Sequence, residues 1–304
     1  MNETILITGG SGFVGQNIIH TLLKQKPTAK IYNLSRTPLQ IARVSHIPCE
    51  DAATFDFSSL DQEFDCIIHS LALSNEAFCK DFPYAEKVNI DFTKKLLAFA
   101  GQQKDLKKFI YISSIILYAN DNPSPIVEDS KLYLHYSNYG FTKGIAEYYV
   151  NHFREKFGLP ATIFRLSNIY GPYQDFKDSP FLVPSKIMQA INKKKIEVFN
   201  LAPRRDWIYA EDAALAIVRA LDVPCEGIYN LASGKAVSVE DIVKEIANEL
   251  GASYTSLNKP TSGPQDMYCD ISKITETLSW QPTTELGDGV AKTIAYIKDN
   301  LLKQ

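Results

Sequence analysis

A tyrosine and a lysine in the segment YSNYGFTKGIAEYYV, residues 136–150, are spaced for acid–base chemistry. Tyr139 precedes Lys143 by four residues, and the segment has the composition of a helix. Side chains four residues apart lie on one helix face, so the ammonium would favour the ionised phenol and lower its pKa. A tyrosine tuned in this way can donate or accept a proton. A surface helix with packed tyrosines and a solvated lysine would show the same spacing, so the rest of the chain must decide.

Composition limits the classes of function. The chain has 304 residues, 45% hydrophobic and 22% charged, enough for one large domain or two closely packed ones. Its formal net charge of −3, with both signs interspersed, predicts no nucleic-acid partner and no membrane partner. The five cysteines are scattered without a C-x-x-C pair, which predicts neither disulfides nor a metal site. Without a signal peptide or an apolar run of about 18 residues, the expected location is cytoplasmic.

Short β-branched or apolar runs alternate with helical patterns in the first half of the chain. The runs that read as buried strands are TILITGG, KIYNLSR, DCIIHSLAL, KKFIYISS and ATIFRLSNIYG. This alternation predicts an α/β fold with a doubly wound parallel sheet over residues 1–171. Prolines and turns are frequent after Gly171, which predicts a smaller C-terminal substrate-binding α/β lobe over residues 172–304, with residues 205–232 returning to the first domain. Such a lobe would cap the carboxyl edge of the sheet, where ligands bind.

A glycine-rich turn, ITGGSGFVGQNII, follows the first predicted strand. Gly9, Gly12 and Gly15 have the spacing G-x-x-G-x-x-G and open a helix. Glycines there allow a tight turn and a close approach of the backbone to a pyrophosphate, while the helix N-terminus supplies free N–H groups. The strand before the turn and the helix after it predict a Rossmann fold that binds NAD or NADP.

The end of the second predicted strand bears on which dinucleotide binds. The strand ends in Ser35 and Arg36, and a hydroxyl with a guanidinium suits a 2′-phosphate, which favours NADP(H) slightly over NAD(H). An exposed loop arginine is the alternative interpretation. Further on, Asp56 and Phe57 stand where an acid could meet the adenine amino group and an aromatic ring could pack nearby.

Seven motifs in order along the chain resemble those of one enzyme family. The segment TGGSGFVG, residues 8–15, matches the pattern T-G-x-x-G-F-x-G, and IIHSLAL, YISSIILY and YGFTK resemble H-x-A-A, S-S-x-x-x-Y and Y-x-x-x-K. Later, FRLSNIYGP, RRDWIYAED and CDISKITETLSWQP resemble R-x-x-N-x-Y-G-P, R-D-x-x-x-V-x-D and D-x-S-K…L-x-W-x-P. The set resembles the extended short-chain dehydrogenase/reductase family, NAD(P)-dependent epimerases, dehydratases and reductases that act mostly on nucleotide sugars.

The resemblance implies a catalytic set of Ser114, Tyr139 and Lys143. Tyr139 would exchange a proton with a sugar hydroxyl or ketone, and Lys143 would also bind the nicotinamide ribose. Ser113 competes for the serine role, but Ser114 stands four residues before Tyr118, as the family's catalytic hydroxyl does before its own tyrosine. Glu147, four residues after Lys143, is interpreted as its structural salt-bridge partner.

The other implied contacts divide between dinucleotide and substrate. The dinucleotide contacts are Gly9, Gly12, Phe13, Val14, Gly15, Ser35, Arg36, Asp56, Phe57, Leu71, Ala72 and Lys143. The substrate contacts are Ser74, Ile115, Asn168 and Arg205. Many members carry a further arginine before the closing block where this chain has Gly263, so one phosphate contact is missing unless Arg204 compensates. Asp206 and Asp212 are expected to be structural, positioning a loop and capping a helix.

Two isoleucines narrow the reaction. The family's 4,6-dehydratases need an acidic pair directly after the catalytic hydroxyl, and this chain has Ile115 and Ile116 there. Dehydration is therefore not expected. The residues Ser35 and Arg36 favour a 4-ketosugar reductase that uses NADPH. A 4-epimerase with tightly bound NAD, a non-catalytic dinucleotide-binding module and a reductase of small aldehydes remain alternatives.

The resemblance also implies a homodimer built through helices of the cofactor domain. The segment AEYYVNHF would contribute Tyr148, Tyr149 and Phe153 across a two-fold axis. Burial of these rings within the monomer is equally consistent with the sequence. The expected small-molecule partner is a nucleotide-diphosphate sugar.

Overall fold

A seven-stranded parallel sheet forms the centre of the computed structural model, which describes residues 3–177, 179–261 and 263–302. Its strands are β1 (Thr4–Thr8), β2 (Lys30–Ser35), β3 (Val44–Pro48), β4 (Cys66–His69), β5 (Lys108–Ser114), β6 (Ala161–Leu166) and, after three strands of a second unit, β10 (Gly227–Leu231). Their spatial order is β10-β6-β5-β4-β1-β2-β3. Strand order reverses beside β1, which leaves a crevice at the carboxyl edge.

Helices cover both faces of this sheet. They are α1 (Phe13–Gln25), α2 (Phe82–Glu86), α3 (Phe92–Ala100), α4 (Asn138–Phe157) and, later in the chain, α6 (Ala210–Arg219) and α8 (Ser272–Leu278). A π-helical turn, Lys87–Asp91, joins α2 to α3. Alternate strand residues point to opposite faces, so Ile5 and Ile7 pack against α1 and α6, whereas Leu6 packs on the side of α3 and α4. The predicted doubly wound α/β fold is confirmed.

A second, smaller unit is built from short strands and three helices. Its strands are β7 (Asn168–Tyr170), β8 (Lys195–Val198), β9 (Arg204–Tyr209), β11 (Ala236–Ser238), β12 (Ser253–Ser256) and β13 (Asp266–Met267). Its helices are α5 (Leu182–Lys193), α7 (Val239–Leu250) and α9 (Leu286–Leu301). Strand β9 pairs with β7, β11 and β13, and β8 pairs with β12. Ile187, Ile246 and Ile294 from the three helices meet in one apolar core.

The chain returns to the main sheet after β9. Helix α6 packs against α1, and β10 pairs with β6 in parallel. Strand β9 itself belongs to the second sheet, although it falls within the segment 205–232 that the sequence predicted to return. The return therefore begins at α6, and the division at residue 171 stays a prediction.

A buried ion pair ties α4 to β6. Arg165 donates to Glu147 through Nη2 at 2.6 Å and through Nε at 3.1 Å, and the side chains are 3% and 6% exposed. The hydroxyl of Ser113 on β5 donates to the same carboxylate. The predicted pairing of Glu147 with Lys143 is wrong, because Arg165 arrives from a neighbouring strand and takes the carboxylate. Burial without these partners would leave a bare charge in the core.

The two aspartates predicted to be structural differ in what they hold. Asp206 is fully buried and accepts hydrogen bonds from the backbone N–H groups of Ser233 and Gly234, so it positions that loop as predicted. Asp212 does not cap α6. Its carboxylate accepts from the N–H groups of Thr283 and Thr284 and anchors the segment that leads into α9.

Removal of the Glu147 carboxylate should leave the Arg165 charge buried in the core without its anionic partner. We expect Glu147→Ala to lower the free energy of unfolding by about 3–5 kcal/mol, measured by urea titration followed by circular dichroism. The control is Glu155→Ala on the same helix, whose exposed pair with Arg154 should contribute less than about 1 kcal/mol. Equal losses in the two variants would contradict this account of the buried pair.

Candidate active site

The catalytic candidates meet at the carboxyl edge of the central sheet. Ser114 is the last residue of β5, and Tyr139 lies in the first turn of α4. The helix starts at Asn138 because the Ser137 hydroxyl accepts a hydrogen bond from the Gly140 N–H at 2.9 Å. Ile116, two residues after Ser114, lies close to Gly140 and is 39% exposed. The strand end and the helix start therefore face one another.

The structure separates the two neighbouring serines. Ser113 is buried and donates its hydroxyl to Glu147, so it belongs to the ion pair described above. Ser114 is half-buried, and its oxygen accepts from the Ile116 N–H at 3.2 Å. Its side chain is also hydrogen-bonded with Tyr139, an interaction that favours the ionised phenol. This arrangement favours Ser114 over Ser113 as the group that would contact a substrate oxygen.

The amine of Lys143 lies in the core beside an aromatic ring. The side chain is 3% exposed and donates from Nζ to the Ile112 carbonyl at 2.6 Å, while Nζ stands 4.1 Å from the centre of the Tyr111 ring. Burial lowers the pKa of Lys143 to about 7, because the charged form loses its hydration.

The sequence expectation for Tyr139 differs from the structure. Burial raises the pKa of Tyr139 to about 12, and hydrogen bonding with Ser114 opposes that rise only in part. Desolvation therefore outweighs the help that the spacing predicted from Lys143. At neutral pH the phenol is protonated, so it is ready to donate a proton, whereas accepting one requires a further positive charge close by.

The glycine-rich turn fits a dinucleotide diphosphate. Gly9 has φ +73°, and a Cβ there would lie 2.8 Å from the Leu71 backbone. A Cβ on Gly15 would lie 2.3 Å from the Gly9 carbonyl oxygen, so the helix could not approach the turn. Gly12 is the N-cap of α1, and Phe13 and Val14 begin the helix, where backbone N–H groups have no partner within the helix. Such a cradle suits an anion next to the backbone.

The residues predicted to contact the adenosine lie in surroundings that agree only in part with that prediction. Ser35 is buried and donates its hydroxyl to the Thr37 carbonyl at 2.9 Å, while Arg36 is exposed. The Asp56 carboxylate caps the turn Phe57–Ser59 by accepting from the Ser58 N–H at 3.0 Å. Phe57 is 5% exposed, so little of its surface is free for a ligand, and its contact with adenine stays a prediction. Its ring packs in a core cluster with Phe55, Phe92 and Phe99.

A buried histidine network supports the loop beside the turn. His69 Nε2 donates to the Thr93 hydroxyl at 2.8 Å, because Thr93 uses its own proton on the Asn89 carbonyl. His69 Nδ1 then accepts from the Thr8 hydroxyl at 2.7 Å. Burial, together with the nearby Lys143 charge, lowers the pKa of His69, which is neutral. This network fixes the strand end before Leu71 and Ala72, and sequence reasoning assigned it no role.

The four predicted substrate contacts lie in different surroundings. Ser74 is exposed on the loop after β4, and Ile115 is 6% exposed behind Ser114. Asn168 donates to the Asp206 carbonyl at 2.9 Å, which uses one of its amide protons. Arg205 is half-buried, and its Nη1 donates to the Arg204 carbonyl at 2.8 Å.

Gly263, where an arginine was expected from the family resemblance, lies next to Arg205. A Cβ on Gly263 would lie 3.6 Å from Arg205 Nη2. Arg204 pairs with the exposed Asp266 at 3.4 Å. Neighbouring residues of β9 point to opposite faces, so Arg204 does not share the direction of Arg205. Among the described residues, Arg205 is therefore the arginine that adjoins Gly263, and its role as a substrate contact stays a prediction.

Two searches of the described residues gave negative results. No cluster of three or more histidine, cysteine, aspartate or glutamate side chains within residues 3–177, 179–261 and 263–302 could hold a metal ion. In the same ranges, no helix is both long enough and apolar enough to cross a membrane.

The chain is similar over nearly its full length to proteins described as nucleotide-sugar epimerases and reductases. UDP-glucose epimerase YtcB of Bacillus subtilis, itself uncharacterized, is 29% identical over 316 residues, covering 96% of this chain and 97% of that protein. The dTDP-4-dehydro-6-deoxyglucose reductase of Escherichia coli is 25% identical over 318 residues, covering 97% of each chain. The UDP-glucuronic acid 4-epimerase of Bacillus cereus, solved with UDP-glucuronic acid and NAD, superimposes with a TM-score of 0.87 at 27% identity, covering 98% of this chain and 99% of that one.

A family model gives the assignment. The model of the NAD dependent epimerase/dehydratase family matches residues 5–232, well over half of the chain. The match contains the glycine-rich turn, the strand end with Ser114 and the helix with Tyr139 and Lys143. The resemblance found in the sequence motifs is therefore confirmed, and the chain belongs to the NAD-dependent epimerase/dehydratase family of extended short-chain dehydrogenases/reductases.

Proposed function

We propose that the protein is a nucleotide-sugar 4-epimerase that keeps NAD bound between the two halves of its reaction. The observation that carries the proposal is the convergence of Ser114, Tyr139 and Lys143 beside the glycine-rich turn, with Ile115 and Ile116 next to Ser114. Carboxylic side chains would be needed there to assist loss of water, so the site suits oxidation and reduction at one carbon.

The protein's own groups would bind the sugar and move one proton. The Tyr139 oxygen would take the proton of a sugar hydroxyl and return it to the ketone oxygen when that carbon is reduced on its opposite face, while the Ser114 hydroxyl holds the same oxygen. Lys143 would favour the ionised phenol once it is charged. A bound nicotinamide would supply hydride acceptance and donation. Because burial raises the pKa of Tyr139 to about 12, the positive charge of Lys143 and of the oxidised cofactor are both needed to free the proton.

A nucleotide diphosphate is the proposed handle of the substrate. Arg205 is half-buried in β9 of the second unit, and a guanidinium binds a diphosphate through paired hydrogen bonds. Gly263 leaves open space beside that guanidinium, so the diphosphate would receive fewer direct cationic contacts. The related UDP-sugar epimerases support a uridine nucleotide.

A 4-ketosugar reductase that uses NADPH is the second candidate. Arg36 is exposed at the end of β2, where a guanidinium could bind a 2′-phosphate, and the relative in Escherichia coli is a ketosugar reductase. The other half of the suggested phosphate site is weaker, because Ser35 is buried and its hydroxyl is used by Thr37. Because Ser35 is not free to bind a 2′-phosphate, we favour a 4-epimerase with NAD over a reductase with NADPH.

A homodimer is part of the proposal. Tyr148 and Phe157 on α4 are each 68% exposed, whereas Tyr149 and Phe153 pack against the core of their own chain. A two-fold contact through α4 would therefore bury Tyr148 and Phe157, rather than the three rings that the sequence suggested.

The dinucleotide that accompanies the purified protein separates the two candidates. We expect denaturation to release NAD in a nearly equimolar amount, and the protein to interconvert UDP-glucose and UDP-galactose without added cofactor. A protein that consumes NADPH with a 4-ketosugar, and binds it less tightly in Arg36→Ala but not in the exposed control Arg219→Ala, would replace the epimerase with the reductase. NMR of the sugar protons follows the first reaction and absorbance at 340 nm the second.

The close approach in the turn predicts a loss of dinucleotide binding in Gly15→Ala. The added methyl would meet the Gly9 carbonyl and the Gly10 backbone, so α1 must move away from the diphosphate. We expect calorimetric NAD affinity to fall at least about tenfold, equivalent to about 1.4 kcal/mol. The control Gly101→Ala adds a methyl at ordinary contact distances after α3 and should bind normally. Undiminished binding by Gly15→Ala would show that NAD lies elsewhere.

Tyr139→Phe tests the proton transfer. The variant keeps the ring and removes the hydroxyl, so kcat should fall by about 10²–10⁴-fold while dinucleotide binding is retained. The matched control is Tyr148→Phe on the exposed face of the same helix, which should turn over like the parent protein. An active Tyr139→Phe protein would assign proton transfer to another group.

A further inference from the structure

Tyr111 lies beneath the catalytic candidates on the strand that carries Ser114. It is a residue of β5, is 1% exposed, and stands three residues before Ser114. Its hydroxyl has no hydrogen-bond partner in the described part of the chain. Its ring lies against the ammonium of Lys143, with 4.1 Å between Nζ and the ring centre. A buried cation over an aromatic face is attracted by the ring's negative face, more strongly where water is absent.

The remaining surroundings of Lys143 offer little to balance its charge. Nζ donates to one carbonyl, that of Ile112. The titratable groups that face it are His69 from β4, Cys79 from the following loop, and Tyr139 and Glu147 from α4. His69 is neutral, and burial raises the pKa values of Cys79 and Tyr139 to about 11 and about 12, so both are neutral as well.

Glu147 is the one carboxylate among these groups, and its oxygens are already bound. Both receive hydrogen bonds from Arg165, and one also from Ser113. The Tyr111 ring is therefore the direct apolar contact of the ammonium, whereas Glu147 acts on it only from a distance.

We propose that Tyr111 is a positioning residue whose ring face keeps Lys143 protonated and directed towards Tyr139 and the dinucleotide. The assignment of Lys143 to those two partners rests on the proposed function. The contact between the ring and the ammonium does not. The hydroxyl of Tyr111 is not part of this effect, because it is unpaired in the core, where an unpaired polar group disfavours folding.

The proposal predicts a direction of change. Burial lowers the pKa of Lys143 to about 7, so the side chain titrates near neutrality and is protonated below that pH. Removing the ring takes away a contact that only the charged form gains. The pKa of Lys143 should then fall further, and any function that needs the charged lysine should be lost at a lower pH.

The test compares three substitutions on one strand. Tyr111→Phe keeps the ring face, Tyr111→Leu removes it, and Phe109→Leu removes a fully buried ring two residues earlier on the same face of β5. Lysine carrying ¹³C at Cε is incorporated into the full chain, and the Lys143 signal is identified by its absence from Lys143→Gln. Each protein is titrated by NMR from acid to alkaline pH, without dinucleotide or sugar.

We expect the Lys143 midpoint to be unchanged in Tyr111→Phe and Phe109→Leu, and at least about one pH unit lower in Tyr111→Leu, a tenfold change in proton affinity. Should Tyr111→Leu not fold, Tyr111→Met takes its place, because its flexible side chain fills the space without an aromatic face. An unchanged midpoint without the ring overturns the proposal. So does a fall in Tyr111→Phe as large as that in Tyr111→Leu, which would assign the effect to the hydroxyl.

Binding of NAD as a function of pH gives a second readout that does not depend on sugar turnover. Affinity that needs charged Lys143 should fall at lower pH in Tyr111→Leu than in Tyr111→Phe. If no nucleotide sugar is converted but the lysine midpoint shifts as expected, the proposed function fails and the role of the ring stands. If epimerisation occurs and the midpoint does not shift, the reverse holds.

Discussion

The hydrogen bond from Lys143 to the Ile112 carbonyl is the contact on which the arrangement of the site depends. It joins a side chain of α4 to the backbone of β5 inside the core, at 2.6 Å. Ser114 lies two residues beyond Ile112 on the strand, and Tyr139 lies one turn before Lys143 on the helix. This bond therefore fixes the backbone positions from which the hydroxyls of Ser114 and Tyr139 meet. One turn further along α4, Glu147 makes the second such connection, to Ser113 and Arg165.

These buried polar connections fix geometry more than they add stability. Replacing a buried ion pair by apolar side chains is often neutral or stabilising in proteins, because desolvation offsets the attraction. Close packing already limits how α4 can move against the sheet, and the polar contacts add a penalty for any shift that would leave a buried group unpaired. A carbonyl and a carboxylate at defined positions permit one register. The same desolvation moves the pKa of Lys143 down and that of Tyr139 up, so both side chains are biased towards their neutral forms. A positive charge nearby would favour the ionised phenol and disfavour the ammonium.

Local patterns in the sequence were sufficient to predict the fold and to select candidate residues, Ser114, Tyr139 and Lys143 among them, that the structure brings together. Strand runs such as TILIT and KFIYISS are followed by their turns or helices within a few residues, so their neighbours are visible in the sequence. The spacing of Tyr139 and Lys143 likewise identified the helix face. The predictions that the structure does not support concern contacts between residues far apart in the sequence. Glu147 pairs with Arg165 instead of with Lys143, and Phe57 packs in the core against three other phenylalanines. The spacing of residues within one helix predicts only contacts along that helix. It cannot predict contacts with residues that are distant in the sequence, as these two are.

The late arrival of α6 and β10 has a consequence for how the chain can be divided. Strand β6 ends at Leu166, but its outer neighbour β10 begins at Gly227, after β7, α5, β8 and β9 have been built. A fragment that stops near residue 171 would leave the backbone groups of β6 unpaired along one side and uncover Ile18 and Leu22, which α6 shields. Such a fragment would expose an unpaired strand edge and an apolar helix face, through which its copies could associate. The part of the chain that carries the glycine-rich turn is therefore not expected to fold alone when it is cut near residue 171, and a stable version would have to carry α6 and β10 joined through a shortened connection.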